Sequence, residues 1–152
     1  LLQNIDFVIL GSDFGYGKQM LQLIDELKIN NKVHVIKNLP RNDVIAAYNE
    51  CEFLVLPSRW ELSPLTPLEG FAFKKAVIST TAHGIPYTIK NDINSILVEP
   101  SNSHELARAI ITLIQDAKFC EKLGNSGYES VRETQNADSM VKKILKIYQD
   151  LK

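Results

Sequence analysis

Over its first hundred residues the chain alternates short apolar runs with segments whose apolar positions recur every three or four residues; beyond them only the helical period remains. Ile5-Asp6-Phe7-Val8-Ile9-Leu10 is almost unbroken, the pattern of a strand covered on both faces of a parallel sheet, and Gly11 ends it. Met20, Leu21, Ile24 and Leu27 then follow at helical spacing, closed by Asn30-Asn31. Residues 33–36 predict a second strand, broken by Asn38-Leu39-Pro40. Residues 43–49 predict a short helix with Val44, Ala47 and Tyr48 on one side. The unit repeats: a third strand over residues 53–56, a helix over 64–73, and a fourth strand at Ala76-Val77-Ile78 ending in Ser79-Thr80-Thr81. Gly84-Ile85-Pro86 reads as loop, and residues 95–98 as a fifth strand before Glu99-Pro100. Strand and helix in alternation define an α/β fold with parallel strands.

From Ser103 onward the stripes Leu106, Ile110, Leu113, Ile114 and Val141, Ile144, Leu145, Tyr148, Leu151 predict two amphipathic helices. A further helix over residues 119–133 is expected between them, interrupted near Gly124 or Gly127. No internal repeat, low-complexity tract or linker breaks the chain, so sheet and helical tail are expected to form one domain over residues 1–152.

Composition narrows the partners. Seventeen basic against eighteen acidic residues, a net charge of −1, leave no electrostatic footprint for nucleic acid or an acidic membrane surface. Cys51 and Cys120 are too few for a disulfide framework or a zinc site, which favours a reducing, cytoplasmic setting. No apolar run approaches the roughly 20 residues of a membrane span. A chain that begins at Leu1 rather than Met is expected to be a piece of a longer polypeptide.

Two stretches are candidates for chemistry. The first, Gly11-Ser12-Asp13-Phe14-Gly15-Tyr16-Gly17-Lys18, is a glycine-rich turn opening a helix, where backbone N–H groups could face an anion. It matches neither the Walker loop nor the dinucleotide G-x-G-x-x-G spacing, and Ile36-Lys37-Asn38 offers no carboxylate for an NAD ribose. The competing reading is a turn that uses glycine for positive φ. The second stretch runs from Pro57-Ser58 to Gly70 and carries Glu61 and Glu69 where a strand gives way to a helix, the position at which open α/β sheets bind ligands. A carboxylate can accept from both hydroxyls of a vicinal diol, so two carboxylates could hold two sugars. Alternatively, Thr66-Pro67-Leu68-Glu69 is a capping box in which Glu69 satisfies a backbone donor.

Glu61 and Glu69 stand in an E-x7-E arrangement after Pro57-Ser58. They are followed in order by Ala76-Val77-Ile78-Ser79-Thr80, Gly84-Ile85-Pro86, Ile96-Leu97-Val98-Glu99-Pro100 and Leu106-Ala107-Arg108-Ala109-Ile110. Nearly the whole chain thereby resembles the C-terminal domain of GT-B retaining glycosyltransferases of family 4, a Rossmann-like parallel sheet flanked by helices. The resemblance implies a nucleotide-diphosphate sugar as donor, no cofactor and no bound metal, and hexosyl transfer with retention to an acceptor glycan, lipid or small molecule that it does not specify. Glu69 would accept from the ribose hydroxyls and Glu61, the catalytic candidate, would contact the transferred sugar. Leu65 and Thr66 would offer backbone N–H groups to the diphosphate, and Ser63 would also contact the donor. Asn38 and Leu39 would seat the base, and Gly11 would line the same crevice. An N-terminal domain, and the Arg and Lys that grip the diphosphate, would precede Leu1. The isolated piece is then expected to be nearly inactive, and any membrane attachment peripheral and made by that other domain. A nucleotide-sugar-binding module without chemistry is the alternative; a receiver-like signalling domain is disfavoured because the third strand ends in Pro57-Ser58 rather than an aspartate.

The remaining candidates are weaker. His34, His83 and His104 have no ligand spacing, although His83 could line a sugar pocket. Trp60 is either a sugar-stacking face or, more commonly for aromatic bulk, core. Cys51 reads as a small hydrophobe beside a buried strand.

Overall fold

The computed structural model describes residues 5–151. The chain divides into two compact units, one up to Ala47 and one from Tyr48 onward. The first unit holds β1 (Phe7–Leu10), α1 (Gly17–Glu26), β2 (Val33–Ile36) and the start of α2 (Arg41–Glu50). β1 and β2 pair in parallel, Phe7 opposite Val33 through Leu10 opposite Ile36. The βα alternation expected from the pattern is present. The expected cover is not: Phe7, Val8, Ile9 and Leu10 are all exposed among the described residues. A continuous apolar strand is buried only when elements pack on both its faces, and among the described residues of this unit none does that for β1.

The second unit contains β3 (Phe53–Leu56), α3 (Thr66–Ala72), β4 (Ala76–Thr80), α4 (Ile85–Thr88) and β5 (Ser95–Val98), followed by α5 (Ser103–Gln115), α6 (Ala117–Thr134) and α7 (Ala137–Asp150). Its sheet is parallel in the order β3-β4-β5. β4 lies in the middle and all five of its residues are buried. Side chains alternate across a strand, so Ala76 and Ile78 join Val98, Ala109, Leu113 and Leu123 in one core. Val77 joins Phe71, Ala82, Ile85 and Ile89 in the other. Helices therefore cover both faces, the reason the fourth strand reads as an unbroken apolar run. The tail helices start on side-chain caps: Asn102 accepts from the Glu105 N–H, Asp116 from Phe119 and Asn136 from Ser139.

Two local expectations are corrected. Gly84-Ile85-Pro86 is not a plain loop, because Ile85 and Pro86 open the one-turn helix α4, where proline's missing N–H costs nothing. Nor is α6 interrupted. Gly124 and Gly127 continue the helix, and each is small because of what it faces: the Lys74 carbonyl for Gly124 and the Phe71 ring for Gly127. Phe71 is fully buried. Gly127→Ala should therefore lower stability by about 1–3 kcal/mol through overpacking, read as a lower urea midpoint at unchanged m-value.

Candidate functional site

The segment leaving β3 is fastened at successive points to β4 and its following loop. Ser79 Oγ donates to the Leu56 carbonyl at 2.8 Å, and Thr80 Oγ1 to the Ser58 carbonyl at 2.6 Å. Both hydroxyl residues are buried, so they satisfy carbonyls that would otherwise lose water without replacement. Further along, the Gly84 N–H donates to the Glu61 carbonyl at 3.0 Å, and the Leu62 carbonyl packs directly against Gly84. Three tethers thus hold the segment between the two strands' C-terminal ends.

On this frame Glu61 is half-buried and its Oε1 accepts the Leu62 N–H at 3.1 Å. Trp60 beside it is 65% exposed, with its ring 6.1 Å from that of His83 and tilted by 59°. The core reading of Trp60 is overturned: the tethered segment runs along the surface and presents the indole to solvent. Ser63 and Leu65 are exposed, Thr66 is half-buried and Pro67 buried. Leu65 is the N-cap of α3 and makes no side-chain cap bond; Thr66 lies inside the first turn. Thr66 is therefore not the cap residue that the capping-box alternative requires, since a capping residue sits outside the helix.

Glu69, one turn along α3, is half-buried and accepts a hydrogen bond on Oε2 from the Tyr48 hydroxyl at 2.7 Å. Tyr48 is 7% exposed, and its ring stacks on Phe73 at 5.4 Å with 12° between planes. Sequence reasoning placed Tyr48 on the apolar side of its helix and missed this role. A buried tyrosine usually finds a partner for its hydroxyl, which signals that a partner exists but not which one.

In the first unit, Gly11 and Asn38 follow β1 and β2 at the same end of their sheet, and the Gly11 N–H donates to the Ile36 carbonyl at 3.3 Å. Asn38 is in the left-handed region at φ 55°, and Leu39 is half-buried. The glycine-rich turn does not present its donors outward. Asp13 Oδ1 accepts from the Gly15 and Gly17 N–H groups at 2.8 and 2.9 Å, and Lys37 Nζ lies 3.7 Å from Oδ2. Those backbone donors, with Lys37 adding to them, hold the Asp13 carboxyl below its ordinary value. The turn supplies its own anion, and Gly15 at φ 106° uses the conformational freedom the alternative reading assigned to glycine. Cys51 and Cys120 are free, half-buried thiols that burial pushes up, consistent with packing rather than reactivity. Among the described residues no helix is long and apolar enough to cross a membrane.

A parallel sheet with helices on both faces and a tethered segment after β3 defines a Rossmann-like α/β domain, and the comparisons with known proteins give it the fold of the C-terminal half of GT-B glycosyltransferases. The solved C-terminal domain of a glycosyl transferase group 1 family protein from Francisella tularensis matches 82% of this chain and 65% of its own, with a TM-score of 0.75 and 29% identity. The Anabaena protein HepE, solved in complex with UDP-glucose, matches 97% of this chain and 42% of its own at a TM-score of 0.87 and 20% identity, a likeness of fold. The family follows from the family model for glycosyl transferases group 1, which matches residues 1–130. The chain belongs to that family. Among curated relatives, an uncharacterized glycosyltransferase from Methanocaldococcus jannaschii is 28% identical over 151 residues, 97% of this chain and 41% of the relative. A D-inositol 3-phosphate glycosyltransferase from Thermobifida fusca is 24% identical over 84% of this chain and 30% of its own length. The chain thus spans well under half the length of either relative.

Proposed function

We propose that this chain is the donor-binding domain of a retaining GT-B glycosyltransferase of family 4, which seats a nucleotide-diphosphate sugar and passes its hexose to an acceptor. The observation that carries this reading is the Glu69 carboxylate, held by the Tyr48 hydroxyl at the switch from β3 to α3 in a chain of this family. Glu69 accepts from the ribose hydroxyls and Glu61, on the tethered segment, from hydroxyls of the transferred hexose. Backbone N–H groups at Leu65 and Thr66, with Ser63 beside them, meet the diphosphate as negative charge builds on it. Gly11, Asn38 and Leu39 receive the base, largely through main-chain atoms. The anomeric carbon exchanges its bond to the diphosphate for one to an acceptor hydroxyl on the same face, and no resident metal takes part. HepE, crystallised with UDP-glucose, lends support to a donor of this kind.

The acceptor-binding second domain completes the cleft, and the Arg and Lys that grip the diphosphate belong to a further strand of this same domain, so this chain alone is expected to bind nucleotide weakly and turn over little. The test uses the full-length polypeptide with UDP-, GDP- and ADP-hexoses and water as acceptor, following the released sugar by proton NMR. Release of the donor's own anomer before mutarotation is expected. Appearance of the opposite anomer first would refute retention, and donor binding without any turnover would leave a binding module.

A further inference from the structure

We infer that Tyr48 is a positioning residue for the donor site: its hydroxyl holds the Glu69 carboxylate in the orientation from which Glu69 receives ribose hydroxyls. This rests on the reading of Glu69 given above. Three observations carry it. The contact is short, 2.7 Å from the phenol oxygen to Glu69 Oε2. The tyrosine end of it is fixed by its surroundings, since Tyr48 is 7% exposed and stacked on Phe73, which is itself the C-cap of α3. The two residues also come from different elements, Tyr48 from α2 and Glu69 from α3, so the bond ties the carboxylate to something other than its own helix.

The chemistry explains why such a tie matters. A glutamate has three side-chain torsions, and on a helix surface its carboxylate sweeps a wide arc whose restriction costs entropy at every binding event. A phenol donating to one oxygen sets the carboxylate's direction before ligand arrives. An ionised carboxylate has two oxygens and about four lone-pair directions, so the bond from Tyr48 by itself occupies only a part of what Glu69 can offer a diol. Preorganisation of this kind raises affinity by removing an ordering cost rather than by adding a contact to the ligand. It also predicts selectivity for a ligand that carries the diol.

The experiment compares the wild-type protein with Tyr48→Phe, which keeps the ring on Phe73, and with Glu69→Gln. Calorimetry gives the dissociation constants of UDP, GDP and ADP, and of the 2′,3′-dideoxy form of whichever binds the wild type best. The readout is the ratio of dideoxy to ribo dissociation constants. That ratio is expected to fall about fivefold in Tyr48→Phe, the loss of one hydrogen bond's worth of orientation, and at least as far in Glu69→Gln. A purely structural tyrosine would weaken both ligands equally and leave the ratio alone. If Glu69→Gln lowers the ratio while Tyr48→Phe preserves it, positioning by Tyr48 is wrong and the ribose role of Glu69 stands. If the wild type shows no preference for the ribo form, or Glu69→Gln does not change it, the ribose role fails and the inference with it.

Discussion

Replacing Glu69 with alanine is expected to cut affinity for a nucleoside diphosphate by about 10- to 100-fold, the worth of hydrogen bonds to a charged group. Two distinct effects are folded into the substitution. The ribose hydroxyls lose their acceptor, which weakens binding. The Tyr48 hydroxyl, donating to Glu69 at 2.7 Å from a buried position, loses the acceptor it has there. Losing that bond to a charged group costs on the order of 1.5–3 kcal/mol of stability, so the melting temperature should fall as well, by roughly 2–4 °C per kcal/mol in a chain of this size. The two are separable because thermal unfolding without ligand reads only the second. Titration of UDP-, GDP- and ADP-sugars well below the melting temperature reads the first. Unchanged affinity beside a lowered melting temperature would confine Glu69 to a structural tie with Tyr48.

The pattern of the chain reaches different depths in different places. β2, β3 and β5 fall on the residues that the apolar runs mark out, because a four-residue run bounded by breakers leaves little room for another register. The parallel order also follows, since helices between strands require crossovers. The E-x7-E stretch points to the right segment for the same local reason, a strand giving way to a helix. What the pattern could not carry is contact between distant residues. Gly124 and Gly127 look like helix breakers until Lys74 and Phe71 are placed against them. Tyr48 lies 21 positions before Glu69, and only the folding of the second unit brings them within a hydrogen bond. Asp13 closing on its own turn is local, yet glycine spacing marks only the donors of such a turn and not the acceptor among them. The bulk of Trp60 points to core, whereas three tethers along residues 56–61 decide which way that segment faces. Residue type sets what a side chain can do, and packing decides whether it does it.

The tethers lead to the second large effect, expected from Gly84→Ala. Gly84 has φ −81°, a value open to any residue, so backbone strain is not the reason for glycine here. Space is: a Cβ at this position would overlap the carbonyl of Leu62. The obstacle is main chain rather than the end of a flexible side chain, so relief requires the segment after β3 to move away from the loop after β4. That movement strains the 3.0 Å bond from the Gly84 N–H to the Glu61 carbonyl and carries Glu61 with it. The expected outcome is a stability loss of about 1–3 kcal/mol together with a change confined to one end of the donor. Affinity for the nucleoside diphosphate should hold, because Glu69 is anchored through Tyr48 and not through this contact. The additional affinity that the hexose brings should fall to the level seen in Glu61→Ala. The quantity to measure is the ratio of dissociation constants for a nucleoside diphosphate and its hexose conjugate, in wild type, Gly84→Ala and Glu61→Ala. Loss of that increment in both variants would locate sugar recognition on the tethered segment. A wild-type ratio in Gly84→Ala, in a protein that is measurably less stable, would mean that Glu61 does not depend on this tether for its place.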